Sequence, residues 1–252
     1  MLAARLEDVT VVSDQGHPLL DALSMVVMRG EALAVCGPAG GGKTTVLRLL
    51  AGLIEPSSGQ VEVGGVLRSG AYEATRAWRR GVGLVLEGGF WTNRTVLENV
   101  ALPLLYHEPG ASDVEARVQA IADELGISRE LEVLGGKASV SVRRRAMVGR
   151  ALVGAPDLLL IDEPQLGMMP REARRVSDAI EARRRQRAMS VVYADRDGSV
   201  VPFVCERRVF LDAGRQVERL STVMSRRDLS LLDGAALSSL TDEATVDEKG
   251  AT

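Results

Sequence analysis

The sequence has few cysteines and few aromatic residues, and both shortages narrow the possible functions. Its 252 residues include two cysteines, Cys36 and Cys205, and the aromatic residues Phe, Trp and Tyr make up 3% of the chain. Two cysteines cannot form a disulfide framework, so they favour a reducing compartment, and neither has the CxxC or histidine-rich context of a zinc site. So few aromatic side chains leave little surface on which single-stranded nucleic acid could stack.

The sequence also lacks an excess of charge of either sign, and it lacks long apolar runs. Its 31 Lys and Arg residues are balanced by 34 Asp and Glu residues, which gives a net charge of −3 at pH 7. This balance argues against a general nucleic-acid binder. No apolar run approaches the ~18 residues needed to cross a bilayer. The sequence does not begin with a basic segment followed by an apolar one, so no signal peptide is expected. The sequence therefore predicts a soluble protein that reaches a membrane only through partners.

Short apolar strands alternate with stretches of helical periodicity along most of the chain. The apolar run 32–36 precedes a helical stretch, and the run 158–161 follows one. This alternation predicts an α/β fold with a mostly parallel sheet, preceded by an antiparallel β portion and carrying an inserted helical subdomain at about 95–150. Residues 1–220 are expected to form this domain, and residues 221–252 a short C-terminal helix and a flexible tail.

A glycine-rich loop at 37–44 (GPAGGGKT) matches the phosphate-binding pattern G-x-x-x-x-G-K-[ST] between a strand and a helix. Glycines let the backbone turn so that successive N–H groups face phosphate oxygens, and the helix N-terminus adds a favourable dipole. Lys43 can reach the β- and γ-phosphates, and Thr44 can offer its hydroxyl to Mg²⁺. The alternative, a loop that only links strand to helix, is disfavoured by the full match and its flanks. The predicted nucleotide-binding residues are Gly37, Pro38, Ala39, Gly40, Gly41, Gly42, Lys43, Thr44 and Thr45.

A second candidate segment, 158–164 (LLLIDEP), is an apolar strand that ends in two carboxylates. Ligands of open α/β sheets lie at the carboxyl ends of the strands, so both acids are expected beside the glycine-rich loop. Asp162 is placed to hold Mg²⁺, directly or through water, and Glu163 to act as the general base on an attacking water. An acidic turn without function is the alternative, and the nearby phosphate motif disfavours it.

The loop, the helical insertion and the acid pair together resemble the ATP-binding subunits of ABC transporters over residues 5–220. The segments 95–104 (TVLENVALPL) and 145–152 (RAMVGRAL) also match that family. The resemblance implies an ABC ATPase fold of the P-loop NTPase type, with ATP and Mg²⁺ as cofactors. It also implies membrane permease subunits and a second ATP-binding subunit as partners, no nucleic acid, and peripheral attachment at the cytoplasmic face of the cell membrane.

Within this family, two segments resemble the lipid-transport ATPases of the MCE/Mla type. They are 88–91 (GGFW), before the segment at 95–104, and 162–167 (DEPQLG), before Met168, Met169 and Pro170. This resemblance implies lipid as the cargo.

Several family motifs are altered in this sequence. The signature L-S-G-G-Q aligns with 138–142 (ASVSV), so both glycines, whose backbone closely approaches phosphate, are replaced. The Q-loop glutamine aligns with Glu87, a carboxylate that could still bind Mg²⁺; the switch histidine aligns with Ala194, and the D-loop aspartate with Met169. No clear counterpart of the adenine-stacking aromatic lies between Val9 and His17.

These departures lead to the hypothesis of an asymmetric ATPase pair in which this chain is the degenerate half with slow hydrolysis. A heterodimer is favoured, and a homodimer is the alternative. A non-catalytic, ATP-responsive scaffold subunit of a membrane complex is the competing function. An ABC-type ATPase acting on ribosomes or DNA and a P-loop kinase are disfavoured, the first by the acidic balance and the second by the acid pair and the segment 95–104.

The sequence also contains two arginine runs and a pair of adjacent methionines. The runs at 143–145 and 183–187 are predicted to be solvated helix faces with partners such as Glu181 for Arg185, and contact with acidic loops of a membrane partner is the alternative. Met168 and Met169 are predicted to pack in the interior rather than to form an adaptable contact surface.

Overall fold

The computed structural model describes residues 1–67, 78–88, 93–196 and 203–217, and two β-sheets organise this part of the chain. The predicted C-terminal helix and tail at 221–252 lie outside it. The helices are α1 (Lys43–Leu50), α2 (Val96–His107), α3 (Val114–Leu125), α4 (Val140–Leu152) and α5 (Pro170–Arg187). The strands are β1 (Leu2–Val12), β2 (Pro18–Met28), β3 (Ala32–Cys36), β4 (Ser58–Val63), β5 (Val66–Leu67), β6 (Val82–Val85), β7 (Leu158–Asp162), β8 (Ser190–Asp195), β9 (Arg207–Asp212) and β10 (Arg215–Val217).

The first sheet is antiparallel and has the order β2-β1-β4-β5. Leu6 pairs with Met25 on one side and with Val61 on the other, and all three side chains are buried. Exposed and buried residues alternate along much of these strands, as expected for a sheet with one face against a core and one face in solvent. The predicted N-terminal antiparallel portion is thereby confirmed.

The second sheet has the order β10-β9-β3-β8-β7-β6 and is parallel except for β10. Every residue of β3, β7 and β8 is buried. Such continuous apolar runs arise because both faces of the sheet are covered: α1 and the antiparallel sheet lie on one side, and α2 to α5 on the other. The carboxyl ends of these central strands meet at one edge, where the predicted site residues begin.

Helices α2, α3 and α4 form the predicted helical insertion. Thr95 and Glu98 form a capping box at the start of α2, with the Thr95 side chain accepting from the Glu98 N–H and the Glu98 carboxylate accepting from the Thr95 N–H. Gly149 allows α4 to approach α3 closely. A Cβ at this position would lie only 3.2 Å from Leu125 Cδ1. The structure thus confirms the α/β fold with an antiparallel portion and a helical insertion.

The prediction that the arginine runs are solvated faces is wrong for three of their members. Arg144, Arg145 and Arg184 are buried, because each lies on the core-facing side of its helix and finds acceptors there. Arg145 donates to the carbonyls of Leu125 and Gly126 at 3.1 and 2.7 Å, which closes the C-terminal end of α3.

Glu181 forms its ion pair with Arg184 rather than with Arg185 as expected. Arg184 Nη1 lies 2.7 Å from Glu181 Oε1, and Arg184 Nη2 lies 2.6 Å from Glu206 Oε1. Two carboxylates therefore compensate the buried charge of this arginine. The packing prediction for the methionine pair also fails at one position, because Met169 is 70% exposed while Met168 packs against the core.

Candidate functional site

The glycine-rich loop joins the end of β3 to the start of α1 and folds around the side chain of Lys43. The ammonium group is buried and donates to the carbonyls of Gly37 and Pro38 at 2.7 and 2.8 Å. Gly41 N–H donates back to the Pro38 carbonyl at 3.1 Å, which tightens the turn. The predicted residues 37–45 therefore form one continuous loop and helix start, with the first-turn amides of α1 directed towards the loop.

Three glycines of this loop, Gly37, Gly40 and Gly42, have positive φ values that other residues rarely adopt. Gly37 has a φ of 144°, and a Cβ there would lie 2.0 Å from the carbonyl oxygen of Leu211. Gly40 has a φ of 77°, and a Cβ there would meet nothing within 4 Å. The loop is thus packed against β9 at one end and open at Gly40, so its exposed backbone is accessible to a ligand.

Thr44 and Asp162 come together where α1 starts and β7 ends. Thr44 Oγ1 donates a hydrogen bond of 2.9 Å to Asp162 Oδ2, and Asp162 is only 4% exposed. Burial raises the pKa of the Asp162 carboxyl; the Thr44 hydrogen bond opposes this shift, and the nearby Glu87 carboxylate adds to it. Glu87 itself is exposed.

This donor set fits a magnesium ion. A hydroxyl and a carboxylate are hard oxygen ligands, and Mg²⁺ is usually held by one or two protein groups together with phosphate oxygens and water. Within the described ranges, no three His, Cys, Asp or Glu side chains converge to hold a metal by themselves. The pair Thr44 and Asp162 therefore suits a metal that arrives with a phosphate ligand rather than one permanently held by protein.

Glu163 follows Asp162 in a backbone conformation that turns the chain away from β7. Its φ is 46°, its N–H donates to the Ala194 carbonyl at 2.8 Å, and its carboxylate accepts from Arg196 Nε at 3.1 Å. The left-handed conformation costs roughly 1–2 kcal/mol for a residue with a Cβ, so the turn is maintained by its surroundings. The structure thus places Glu163 at the same sheet edge as Asp162 and the loop.

Arg144 of α4 reaches this edge from the helical insertion, a contact that the sequence does not predict. Its guanidinium donates to the carbonyl of Leu86 at 3.0 Å, to that of Glu163 at 2.7 Å, and to that of Asp162. Burial lowers its pKa, and the carboxylates of Asp162, Glu87 and Glu163 oppose that effect. A lone arginine run on a helix gives no signal for such a role, because its acceptors are main-chain carbonyls distant in sequence.

The altered signature segment has structural contacts of its own. Ser139 Oγ accepts from Val142 N–H and caps α4, while Val140 is 60% exposed. Ser141 Oγ donates to Glu172 of α5 at 2.6 Å, and this bond is the main reason why the pKa of Glu172 is lowered. The segment is therefore tied to the helix that follows the acid pair.

The positions aligned with the switch histidine and the D-loop aspartate carry no equivalent polar group. Ala194 is buried in β8, in register with Asp162 of β7, and Met169 is exposed before α5. Of the segment 88–91, only Gly88 lies in the described part of the chain, so Gly89, Phe90 and Trp91 lie outside the described residues. No helix among the described residues has both the length and the apolar character that a membrane span requires.

Sequence relatives point to one family. The chain is 35% identical over 206 residues to the methionine import ATP-binding protein MetN of Caulobacter vibrioides, covering 81% of this chain and 62% of that protein. It is 32% identical over 204 residues to methionine import ATP-binding protein MetN 1 of Burkholderia ambifaria, covering 79% and 58%. The chain thus spans about three fifths of the length of these curated relatives.

The fold is shared with solved ABC cassettes. The structure of cbiO1 from Clostridium perfringens, part of the ABC transporter complex cbiONQ, has a TM-score of 0.79 at 19% identity and covers 96% of this chain and 99% of its own. The dimeric structure of MJ0796, a bacterial ABC transporter cassette, has a TM-score of 0.80 at 24% identity and covers 86% and 97%. These likenesses confirm the expected ABC ATPase fold.

A family profile decides the assignment. The profile described as ABC transporter matches residues 20–166, which is more than half of the sequence and includes the glycine-rich loop, α4 and the acid pair. ATP with Mg²⁺ is the cofactor pair of this family's ATPases. The chain belongs to the ABC transporter family.

Proposed function

We propose that this chain is the ATP-binding subunit of an ABC transporter and that its site holds ATP with Mg²⁺ between the loop and the acid pair. The observation that carries the proposal is the 2.9 Å contact of Thr44 with Asp162 beside a loop closed on Lys43. This arrangement joins a phosphate-binding loop, a cation donor pair and a strand-end carboxylate at one sheet edge.

Each residue of the proposed site has a role that follows from its chemistry. The loop amides and the Lys43 ammonium bind phosphate oxygens, and Thr44 and Asp162 hold the cation. Bound Mg²⁺ supplies charge neutralisation to the phosphate groups. Glu163 orients and deprotonates the attacking water, and the exposed Glu87 contributes at most an outer contact to the cation.

The proposed partners are membrane permease subunits and a second ATP-binding subunit, with attachment at the cytoplasmic face of the membrane. A heterodimer is favoured over a homodimer because the signature segment replaces both glycines with Val140 and Ser141. Their Cβ atoms stand where a partner's phosphate would need close approach of the backbone. In this arrangement the chain's own loop and Glu163 work with an intact signature from a different subunit.

For the cargo, the relatives favour import of an amino acid over transport of lipid. The Caulobacter and Burkholderia proteins are named for methionine import. The prediction of lipid transport rests on segments 88–91 and 162–170, and the relatives named for methionine import do not support it. Methionine is accordingly the first cargo to test, by uptake in vesicles that contain the chain and its permease, with phospholipid movement measured in the same vesicles.

Nucleotide binding and turnover test the proposal in two stages. Calorimetry with Mg²⁺–ATP is expected to show binding to the intact chain and to the Glu163→Gln variant. Turnover is expected to be low for the chain alone and to rise when a regular ATPase subunit is added. Vigorous turnover by the chain alone, unchanged by the added subunit, would contradict the asymmetric pair.

A non-catalytic scaffold is the second candidate, and Ala194 favours it because no switch side chain is available at that position. Loss of one preorganised phosphate contact typically reduces turnover by ~10²–10³-fold. In a scaffold, Glu163→Gln leaves transport unchanged while Lys43→Ala abolishes it. In an ATPase, both variants abolish transport.

A further inference from the structure

Arg196 contacts both the glycine-rich loop and Glu163 of the acid pair, although no sequence motif indicates a role for it. Its carbonyl accepts the N–H of Gly37, the first residue of the loop, at 3.2 Å. Its side chain donates from Nε to Glu163 Oε1 at 3.1 Å. One residue therefore contacts the loop through its backbone and the strand-end carboxylate through its guanidinium.

The location of Arg196 relates it to the position that lacks a switch side chain. Arg196 directly follows the last residue of β8 and lies two residues after Ala194. Ala194 itself is in register with Asp162. The hydrogen bond to Glu163 therefore places the Arg196 guanidinium at the same sheet edge as Ala194 and Asp162.

The charges at this edge explain what a cation could do there. Three carboxylates lie near this edge. Those of Asp162, Glu87 and Glu163 all act electrostatically on Arg144, and that of Glu87 also acts on Asp162. Lys43 and Arg144 donate to main-chain carbonyls. Arg196 instead pairs directly with a carboxylate of this group. A triphosphate next to an uncompensated Glu163 would experience Coulomb repulsion.

The pair is poorly suited to a purely structural purpose. Arg196 is 64% exposed at its side chain while Glu163 is 19% exposed. Ion pairs with an exposed partner typically contribute little to stability, because the entropy lost in ordering the two side chains offsets most of their attraction. The pair therefore has little effect on folding and a direct effect on where the Glu163 carboxylate sits and how strongly its charge acts.

We propose that Arg196 is a positioning residue that fixes the Glu163 carboxylate and compensates its charge, so that a triphosphate can bind beside it. The inference rests on the proposed function of the site. Arg196 acts through Glu163, not as a direct ligand of the nucleotide. Its effect therefore depends on the presence of a carboxylate at position 163 and on the terminal phosphate of the nucleotide.

A double-mutant cycle on nucleotide affinity tests this dependence without requiring turnover. Calorimetry with Mg²⁺ and a non-hydrolysable ATP analogue is carried out on the full chain, Arg196→Ala, Glu163→Gln and the double variant. Arg196→Ala is expected to weaken affinity about fivefold to tenfold when Glu163 is present and less than twofold when residue 163 is glutamine. Arg196→Lys is expected to restore most of the affinity because it retains the charge.

Two controls separate this effect from general changes in charge or fold. ADP affinity is expected to change less than twofold in Arg196→Ala, since ADP lacks the terminal phosphate. Arg174→Ala removes the same charge from an exposed pair with Asp178 on α5 and is expected to leave affinity for the analogue unchanged.

The outcomes distinguish the inference from the proposed function. Equal weakening in both backgrounds would show that Arg196 contacts the nucleotide directly, and no weakening in either would show that it has no role; both results overturn the inference alone. Failure of the unmodified chain to bind the analogue overturns the proposed function and the inference together.

Discussion

Thr44 and Asp162 are separated by 118 positions in the sequence and joined by a hydrogen bond of 2.9 Å. The bond connects the first turn of α1 to the last residue of β7, so it fixes the glycine-rich loop relative to the acid pair. Because the Asp162 carboxylate is buried, it requires a polar partner, and the Thr44 hydroxyl supplies one. The same two oxygens are then available when the proposed metal binds.

Removal of the Thr44 hydroxyl is expected to affect metal dependence first. In Thr44→Val the Mg²⁺ concentration for half-maximal ATP binding is expected to rise by about tenfold or more, because one oxygen ligand is lost and Asp162 loses its donor. Titration of Mg²⁺ at fixed ATP measures this shift. Thr10→Val makes the same chemical change in β1, where the hydroxyl accepts from the Ala22 N–H. An equal shift in that control would show that the effect is not specific to the site.

Replacement of Arg144 is expected to destabilise the fold. Arg144→Met leaves the buried carbonyls of Asp162 and Glu163 without their side-chain donor, and the expected loss in free energy of unfolding is about 2–4 kcal/mol. Urea denaturation measures it. Arg143→Met changes the neighbouring, partly exposed arginine and is expected to cost less than about 0.5 kcal/mol. Similar losses for both variants would contradict the assigned contacts.

Cys36 is expected to resist alkylation in the folded protein. Burial, aided by Asp195, raises the pKa of its thiol from 9.0 to about 11. The folded state therefore keeps a proton that the unfolded state loses, so this group favours folding less as pH rises from about 9 to 11. At pH 9, iodoacetamide should label Cys36 far more slowly in native protein than in urea. Equal labelling in both states, read by mass spectrometry of the Cys36 peptide, would show that the thiol is accessible.

Restoration of glycine at the signature segment is expected to raise turnover in an asymmetric pair. Val140→Gly with Ser141→Gly removes two Cβ atoms and is expected to increase ATP turnover of a mixture with a regular subunit by about tenfold. Val140→Gly alone keeps the Ser141–Glu172 bond and is expected to give part of this gain.

The matched control for the signature variants uses a regular partner whose own loop lysine is replaced by alanine. The restored signature would serve that partner's loop, so the gain should disappear. A gain that persists with this partner, or no gain with an intact one, would contradict the asymmetric arrangement.

The central strands and the loop could be predicted because local sequence determines them. Runs such as 32–36 and 158–161 are continuously apolar, which is typical of strands covered on both faces. The loop at 37–44 has a fixed spacing with strand and helix on either side. Because parallel strands end at one edge, the proximity of Thr44 and Asp162 also follows from topology.

The contacts of single arginines could not be predicted, because they depend on packing between distant elements. Arg144 reaches this sheet edge from α4 and Arg196 from the loop after β8, and their acceptors at Glu163 are far from them in sequence. A periodic pattern shows which helix face is apolar, but it does not show that main-chain carbonyls lie opposite that face. The buried Arg184 was missed for the same reason, since its second partner is Glu206.

The most direct test of the account is calorimetric titration of the full chain with ATP at millimolar Mg²⁺, compared with Lys43→Ala and Lys137→Ala. Lys43 closes the loop, whereas Lys137 is exposed and lies outside it. Saturable binding by the intact chain and Lys137→Ala, with loss of about tenfold or more in affinity for Lys43→Ala, is the predicted result. Absence of binding heat in the intact chain, or equal affinity in Lys43→Ala, would contradict the proposal that this loop grips a triphosphate.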